Sequence, residues 1–510
     1  MKSPNGYRLT TLLIASCLVA TALTAQAADQ PQWGETFARN MVSSEKDLPT
    51  TFNPDTGENI KWVVDLGSET HATPIVAHGR VFIGTNNGKP RDPKHKGDRG
   101  VLFCLDEKDG SLLWQWVVPK LTGSPFDPYL DWPRGGICSP VSVEGSRVYA
   151  MSNRGEVACL DVNGMADGND GPFTDEARHM TPAGDTLLEP GPLDADIIWL
   201  YDVHAEVKTY PHDAANSSIL IDGPFLYLNT NNGVDNTHRR NRAPDAPSLI
   251  VLEKATGRLL AMDNEKIGGM VFHCTWSSPA IGQVNGRKLI FFGGGDGVMY
   301  AFEALKTIPP AGKVETLKRV WRFDCDPTAP KKNIHEYKNN RTVSPSNIKS
   351  MPVFHDNRVY VTVGGDIWWG KEIAWLQCID ATKEGDITQT GLLWSYPLEK
   401  HCCSTPSIYN GMVFVADSGG FVHCINAADG KPLWRHEAGG EIWASTLVAD
   451  GKLYVPTRRR NLLVFQAQKE EHLLAALQLD SAMNASATAA NGTLYITTMR
   501  KLYAVSMAGK

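Results

Sequence analysis

The sequence has no long hydrophobic segment after residue 25, so no membrane-spanning helix is predicted in the rest of the chain. It also lacks an excess of either charge, because 50 Lys and Arg residues stand against 56 Asp and Glu residues, with both signs spread along the chain. A nucleic-acid-binding surface needs a basic patch or stripe, so nucleic-acid partners are excluded. No Cys-x-x-Cys-His motif for haem attachment occurs in the sequence.

The first 27 residues have the composition of a secretory signal peptide. Basic residues at positions 2 and 8 flank the start of an apolar run from Leu9 to Ala25, and Ala25-Gln26-Ala27 matches a small-residue cleavage site. Removal of residues 1–27 would leave an N-terminal extension of residues 28–59. We therefore expect a periplasmic or secreted protein that folds in an oxidising compartment.

Glycine and proline are abundant, with 46 and 31 residues, which predicts many tight turns and a mainly β fold. Residues 404–434 contain four short apolar stretches bounded by glycine turns, and Trp434 begins the last stretch. This is the pattern of one four-stranded antiparallel blade. The same frame begins at Thr73, Ser139, Ser217, Ser278, Met351, Thr405, Ser445 and Ser486.

The last repeat, which begins at Ser486, stops before its fourth strand, whereas residues 60–64 form an isolated strand with the expected Trp62. Adding this strand to the last repeat would close a ring and leave no open sheet edge. The sequence therefore predicts one all-β domain over residues 60–510, an eight-bladed β-propeller of four-stranded antiparallel blades whose last blade is closed by the N-terminal strand. Four cysteines share one position of the repeat and are expected to be buried small hydrophobic residues: Cys104, Cys159, Cys378 and Cys424.

The recurring Asp-Gly or Thr-Gly turn followed by Trp resembles the repeat of the quinoprotein (PQQ-like) dehydrogenase propeller superfamily. Residues 131–136, 346–352 and 364–370 are similar to segments of secreted PQQ-like repeat proteins from environmental bacteria. The resemblance covers residues 60–510. Because the superfamily includes quinone enzymes and also non-catalytic scaffolds such as the outer-membrane assembly lipoprotein, it implies one of two functions. These are an oxidoreductase acting on an alcohol or sugar, and a scaffold that binds a protein or polysaccharide.

In a propeller the first strand of each blade lines the central axis, and the residues that precede it surround one mouth of the channel. Here those positions hold acids, imidazoles, cations, thiols and indoles that do not repeat from blade to blade. They are Glu69, His71, Asp213, Cys274, Trp276, Asn347, Lys349, His401, Cys403, Glu441 and Trp443, with Arg134 and His273 one step further out. Convergent polar groups at the mouth of a scaffold favour a ligand site over a merely solvated channel.

The resemblance implies that these residues bind pyrroloquinoline quinone (PQQ) together with Ca²⁺. A planar tricarboxylate needs an aromatic face, cationic groups for its carboxylates and a cation with oxygen ligands. The predicted cofactor-binding residues are Arg134, Trp276, Lys349, Trp443 and the vicinal pair Cys402 and Cys403, which in the enzymes forms a disulfide over the cofactor. The predicted metal ligands are Glu69, Asn347 and Glu441, and Asp213 or Asp366 is the predicted catalytic base. The cysteine pair lies in the sixth repeat, whereas that of the enzymes lies in an early blade.

A second chemistry stays open at the same mouth. Thiolates and imidazoles suit copper or zinc, so an alternative soft-metal site is predicted from His71, His273, Cys274 and His401. Residues 161–171 form an acidic, glycine-rich insert with residue types that bind Ca²⁺, but they lack a complete EF-hand pattern, which favours a solvated loop. The expected partners are a small-molecule or carbohydrate ligand, or an envelope protein.

Overall fold

The computed structural model describes Met1, residues 28–124 and residues 130–507. The predicted signal peptide, apart from Met1, lies outside the described residues. The described part of the chain is nearly all β and forms eight sheets arranged as an eight-bladed β-propeller. The predicted fold class and blade number are therefore confirmed. None of the helices among the described residues has the length and apolar content needed to cross a bilayer.

The strands of blades 1 to 4 are given from the innermost strand outwards. Blade 1 contains Ile75–Ala77, Arg80–Asn86, Arg99–Asp106 and Leu112–Pro119. Blade 2 contains Ser142–Glu144, Arg147–Met151, Glu156–Asp161 and Ile197–Asp202. Blade 3 contains Leu220–Asp222, Phe225–Asn229, Leu249–Glu253 and Leu259–Met262, with Glu315–Thr316 added at its edge. Blade 4 contains Ala280–Val284, Arg287–Gly293, Val298–Glu303 and Arg319–Asp324, with Gly385–Asp386 at its edge.

Blades 5 to 8 follow the same order. Blade 5 contains Val353–His355 and Ser346–Asn347, which both pair with Arg358–Gly365, and then Ala374–Asp380 and Leu392–Leu398. Blade 6 contains Ser407–Tyr409, Met412–Ala416, Phe421–Asn426 and Pro432–Glu437. Blade 7 contains Leu447–Ala449, Lys452–Pro456, Asn461–Gln466 and Leu473–Gln478, with Val42–Ser43 beside the first of them. Blade 8 contains Thr488–Ala490, Thr493–Thr497, Lys501–Val505 and Ile60–Asp65. The helices are Glu176–Met180 and Val203–Val207, and the 3₁₀ turns are Gly164–Ala166, Ile267–Met270 and Ile334–Tyr337.

The ring closes as predicted from the sequence, because the N-terminal strand Ile60–Asp65 pairs antiparallel with Lys501–Val505 of the last blade. In six blades the third residue of the outermost strand is the tryptophan of the repeated motif, and its contacts explain why it recurs. Its indole N–H donates to a backbone carbonyl in the turn after the third strand of the next blade. Trp62, Trp114, Trp199, Trp321, Trp394 and Trp434 donate to Glu107, Val162, Lys254, Ala381, Ala427 and Gln468, respectively. The four cysteines that share one repeat position are buried, as predicted.

We expect Trp114→Phe to lower the free energy of unfolding by about 2 kcal/mol, because it leaves the buried Val162 carbonyl without its donor and opens a small cavity. Trp114 is fully buried, and its indole N–H is 2.9 Å from that carbonyl. Chemical denaturation measures the change. Trp132→Phe is the matched control, because the Trp132 side chain is exposed, and its stability should stay close to that of the wild type. Equal stabilities of the two variants would contradict the docking role of the indole.

In blades 6, 7, 8 and 1 the Ser or Thr that begins the repeat joins neighbouring blades around the axis. Thr405 Oγ1 accepts a hydrogen bond from the Met351 N–H at 3.1 Å, and Ser445 Oγ accepts from the Thr405 N–H at 3.0 Å. Ser486 Oγ accepts from Ser445 at 2.9 Å, and Thr73 Oγ1 accepts from Ser486 at 3.2 Å, which joins blade 8 to blade 1. A small hydroxyl side chain therefore recurs here because it satisfies a buried backbone N–H of the adjacent blade.

The N-terminal extension covers one end of the propeller axis. Residues 28–48 run across all eight blades, and their hydrogen bonds reach Val76, Val143, Ser218, Ile281, Phe354, Ile408, Val448 and Ala489, one residue in each blade. Further bonds to His78, Asp450 and Asn491 lie in turns that follow innermost strands. The predicted site residues precede those strands, except for Asp366, which follows the second strand of blade 5, so they surround the opposite mouth.

Arg39 anchors this extension beneath the ring. Its side chain is fully buried, and its guanidinium donates to the carbonyls of Trp33, Ser218 and Pro279 and to the Ser218 hydroxyl at distances of 2.8 to 3.0 Å. One residue thus links the extension to blades 3 and 4.

Candidate functional site

Two kinds of loop bring side chains to the open mouth. His212 and His273 lie in the loops that enter the innermost strands of blades 3 and 4. His238 and Asp366 lie in loops that follow the second strands of blades 3 and 5. Both loop types reach the same end of a propeller blade, which is why residues far apart in sequence meet here.

The mouth contains a cluster of three histidines, His212, His238 and His273, called here the axial histidine set. One ring nitrogen of each lies within 4.8 Å of those of the other two. His212 Nδ1 is 2.9 Å from the Val234 carbonyl, and His238 Nδ1 is 3.2 Å from the Asn236 carbonyl. The Nε2 atoms of His212 and His238 face each other at 3.0 Å. If each Nδ1 donates to its carbonyl, the two Nε2 atoms present lone pairs to each other, and a cation would relieve that repulsion.

His273 completes the set with a carboxylate behind it. Its Nδ1 is 2.9 Å from Asp366 Oδ2, whereas its Nε2 is buried without a hydrogen bond. A histidine whose second nitrogen is held by a carboxylate or carbonyl is the usual arrangement of a metal ligand, because the partner fixes the tautomer and the ring orientation. All three histidines have such a partner.

The backbone of Val234 contacts both His212 and His273. Val234 accepts from His212 Nδ1, and its N–H donates to the His273 carbonyl at 3.0 Å. These contacts bring the backbone at residue 233 close to the His212 side chain, since a Cβ on Gly233 would lie 2.6 Å from the Cβ of His212. Glycine at position 233 is therefore needed for this packing.

Asp213 places a carboxylate beside the same nitrogens. Its Oδ2 is 3.4 Å from His212 Nε2 and 3.8 Å from His273 Nε2. Burial raises the pKa of Asp213, although it stays partly exposed at the mouth. A carboxylate at this position can serve as a fourth ligand or accept a proton from a ligand of the centre.

The charge states of the histidines follow from their surroundings. Burial lowers the pKa of His212 well below its usual range and that of His238 to about 4, so both are neutral at neutral pH. Burial also disfavours the charged form of His273, but Asp366 outweighs this effect and raises the pKa of His273 to about 9. A metal bound at His273 Nε2 would therefore displace a proton.

Asp366 also balances a buried lysine. Lys349 Nζ is 2.9 Å from Asp366 Oδ2 and 3.2 Å from Cys274 Sγ, and it lies over the Trp276 and Trp368 rings at 4.8 and 5.2 Å. Although burial favours the neutral acid, His273 and Lys349 hold the pKa of Asp366 well below its usual range. Asp366, predicted as a catalytic base, is thus a buried residue that positions His273.

The residues predicted for quinone binding do not form a site that fits PQQ. Trp276 and Trp443 both lie at the mouth, but Trp368 stands between them, 6.1 and 5.7 Å away with its plane nearly perpendicular to both. A planar cofactor stacked there would need the volume that Trp368 fills. The Arg134 side chain is 69% exposed, and its Nε is 3.5 Å from Glu69 Oε1.

The other predicted ligands have separate partners. Glu441 pairs with Arg458 at 3.0 Å, Glu69 pairs with Arg134, and the Asn347 amide lies 3.4 Å from Asp366. Cys402 and Cys403 are both thiols, and Cys402 Sγ is buried 2.7 Å from the Ala416 carbonyl. Within the part of the chain that the structure describes, only the axial histidine set brings three His, Cys, Asp or Glu ligand atoms this close together.

Of the four residues predicted for the alternative soft-metal site, only His273 belongs to the axial histidine set. His71 lies 3.1 Å from the Asn484 amide, Cys274 accepts from Lys349, and His401 is buried with neither ring nitrogen hydrogen-bonded. His212 and His238 were missed. His212 directly precedes the predicted Asp213, and a search of the loops after the second strands would have found His238.

Fold and site together define an eight-bladed β-propeller with a histidine cluster at its open axial mouth. The chain belongs to the PQQ-like propeller family, since the family model described as outer membrane protein assembly factor BamB matches residues 32–164, 314–469 and 386–509. No curated protein sequence matches the chain significantly.

Solved structures with the same fold include enzymes and an assembly factor. A europium-containing methanol dehydrogenase is 10% identical with a TM-score of 0.58, covering 94% of this chain and 98% of its own. A quinohemoprotein alcohol dehydrogenase from Comamonas testosteroni is 12% identical with a TM-score of 0.59, covering 96% of this chain and 82% of its own. BamB from Moraxella catarrhalis is 13% identical with a TM-score of 0.50, covering 88% of this chain and 97% of its own. At these identities the likeness shows the fold alone.

Proposed function

We propose that this protein is an exported, metal-dependent enzyme whose centre is the axial histidine set with Asp213 beside it. The observation that carries the proposal is the pair of Nε2 atoms of His212 and His238, which face each other at 3.0 Å while both Nδ1 atoms have carbonyl partners. Facing imidazole lone pairs are unfavourable without a cation and are the ligand arrangement of a histidine metal centre.

The donor set favours zinc or copper, because imidazole with one carboxylate suits both metals. Tetrahedral Zn–N bonds of about 2.0–2.1 Å place ligand nitrogens about 3.3 Å apart. The separations in the axial histidine set, 3.0 Å for one pair and at most 4.8 Å overall, reach that value with small ring movements. Bound there, such a metal acts as a Lewis acid toward a water or a substrate oxygen. Asp213, whose Oδ2 is 3.4 Å from His212 Nε2 and 3.8 Å from His273 Nε2, would accept the proton released in that step.

The quinone-dependent oxidoreductase that the resemblance implies has less support, because Trp368 fills the space between the two predicted stacking residues. The scaffold alternative gives no reason for three oriented imidazoles at the axis. The partly exposed Trp368, over the buried Lys349, supports a small-molecule or carbohydrate ligand that enters at this mouth.

His238→Ala is expected to weaken zinc or copper binding at least a hundredfold, because two imidazoles cannot hold the ion as three do. The measurement is metal content by mass spectrometry and titration of the chelated full-length protein with Zn²⁺ and Cu²⁺. His436→Ala is the matched control, since His436 of blade 6 pairs with Glu471 of blade 7 and its removal should leave one metal per chain. Equal affinities of the two variants, or no binding by the wild type, would refute the proposal.

A further inference from the structure

A group of carboxylates lies in the connection between the third and fourth strands of blade 2, apart from the axial histidine set. This blade-2 connection comprises residues 162–196. From residue 161 to residue 196 the sequence contains nine Asp and Glu residues and only one Lys or Arg, Arg178. Such an excess of negative charge on a folded connection needs a balancing cation or full solvation.

Two of these carboxylates are not solvated. Asp196 is fully buried and Glu176 is 2% exposed. One oxygen of each is anchored, because the Asp170 N–H donates to Asp196 Oδ2 and the Asn169 side-chain amide donates to Glu176 Oε2, both at 3.0 Å. The remaining oxygens, Asp196 Oδ1 and Glu176 Oε1, are buried without any hydrogen bond. The two carboxylates are therefore held by adjacent residues, 169 and 170.

The surroundings of Asp196 are negative. Burial, followed by the charges of Asp161, Glu176 and Asp170, raises the pKa of Asp196 to about 6. The Asp161 carboxylate already pairs with Arg147. Among the described residues, neither Asp196 nor Glu176 forms an ion pair with a Lys, Arg or His. An unpaired buried anion is costly, so these two free oxygens require a cation or a proton.

We propose that the blade-2 connection binds one Ca²⁺ through Asp196 Oδ1 and Glu176 Oε1. The two free donors are oxygens, which hard cations prefer. Ca²⁺ accepts irregular sets of carboxylate, carbonyl and water oxygens, so two buried carboxylates can anchor it in a glycine-rich connection, whereas Mg²⁺ demands near-octahedral geometry. This site is independent of the axial histidine set and explains an acidic insert whose sequence alone favours a solvated loop.

The test is calorimetric titration of the chelated full-length protein with Ca²⁺. We expect one site per chain, a thermal midpoint that rises by several degrees with Ca²⁺, and slower proteolysis within residues 162–196. Asp196→Asn and Glu176→Gln should each weaken Ca²⁺ binding at least tenfold. Asp185→Asn removes an exposed charge from the same connection and should bind as the wild type does.

His238→Ala should bind Ca²⁺ normally, which separates this site from the axial centre. No heat of binding and no change in proteolysis of the wild-type protein at millimolar Ca²⁺ would overturn the proposal. Undiminished binding in both Asp196→Asn and Glu176→Gln would overturn it as well. Should either variant fail to fold, Ca²⁺-dependent protection of the wild-type connection from proteolysis still decides the question.

Discussion

Replacing Asp366 by Asn is expected to lower the free energy of unfolding by about 3–5 kcal/mol, because it leaves a buried ammonium without its counter-ion. Asp366 is 1% exposed, and Lys349 Nζ lies 2.9 Å from it. Its other oxygen accepts from the N–H groups of Trp368 and Trp369, both at 3.0 Å. The same change removes the acceptor of His273 Nδ1, so zinc or copper binding should weaken by about 10–100-fold.

Two measurements separate these roles of Asp366. Chemical denaturation reports stability, and titration with Zn²⁺ or Cu²⁺ reports the metal centre. The double variant Lys349→Met, Asp366→Asn removes the unpaired ammonium as well, so it should regain much of the stability but none of the metal affinity. Asp429→Asn, on an exposed turn of blade 6, is the control for loss of a carboxylate. A single variant as stable as this control would contradict the described charge balance.

Arg39→Met is expected to lower the free energy of unfolding by at least about 3 kcal/mol, since it leaves three carbonyls, two of them buried, and one buried hydroxyl without their shared donor. Those acceptors belong to Trp33, Ser218 and Pro279 and join the N-terminal extension to blades 3 and 4. Because the extension bonds to every blade, its loosening should lower the stability of the whole ring rather than of one blade.

Denaturant unfolding of Arg39→Met, compared with Lys46→Ala, tests this role. Lys46 is an exposed cation on the same extension, and its removal should change stability by less than about 0.5 kcal/mol. Proteolysis of residues 28–48 should accelerate in Arg39→Met alone. An Arg39→Met protein with wild-type stability would contradict the anchoring role.

The propeller could be predicted because its signals are local and recur. Turn glycines, the Ser or Thr at the axis and the Trp of the outermost strand each have the same structural role in most of the blades. The path of residues 28–48 could not be predicted, because that extension has no repeat and its hydrogen bonds are spread over all eight blades. Burial of Arg39 could not be predicted from the sequence either, because its acceptors Ser218 and Pro279 lie about 180 and 240 residues away along the chain.

The axial histidine set lies at the mouth where the sequence predicted a site, but that prediction considered only one of the two kinds of loop that bring the three histidines together. Aligning the residues before each innermost strand found Asp213, His273 and Lys349. His238 lies in a loop between the second and third strands, whose length differs from blade to blade, so the repeat gave no frame for it. The quinone roles came from the family resemblance, and the position of Trp368 between the stacking residues depends on packing that a repeat alignment does not contain.

A structure determined by crystallography with anomalous diffraction at the zinc and copper absorption edges tests the proposed metal centre most directly. For protein supplied with both metals, we expect one strong anomalous peak about 2.0–2.2 Å from the Nε2 atoms of His212, His238 and His273. The Asp213 carboxylate should lie beside that peak. Density of a planar quinone at Trp276 with no metal peak among the three imidazoles would contradict the account, as would imidazoles that remain metal-free under those conditions.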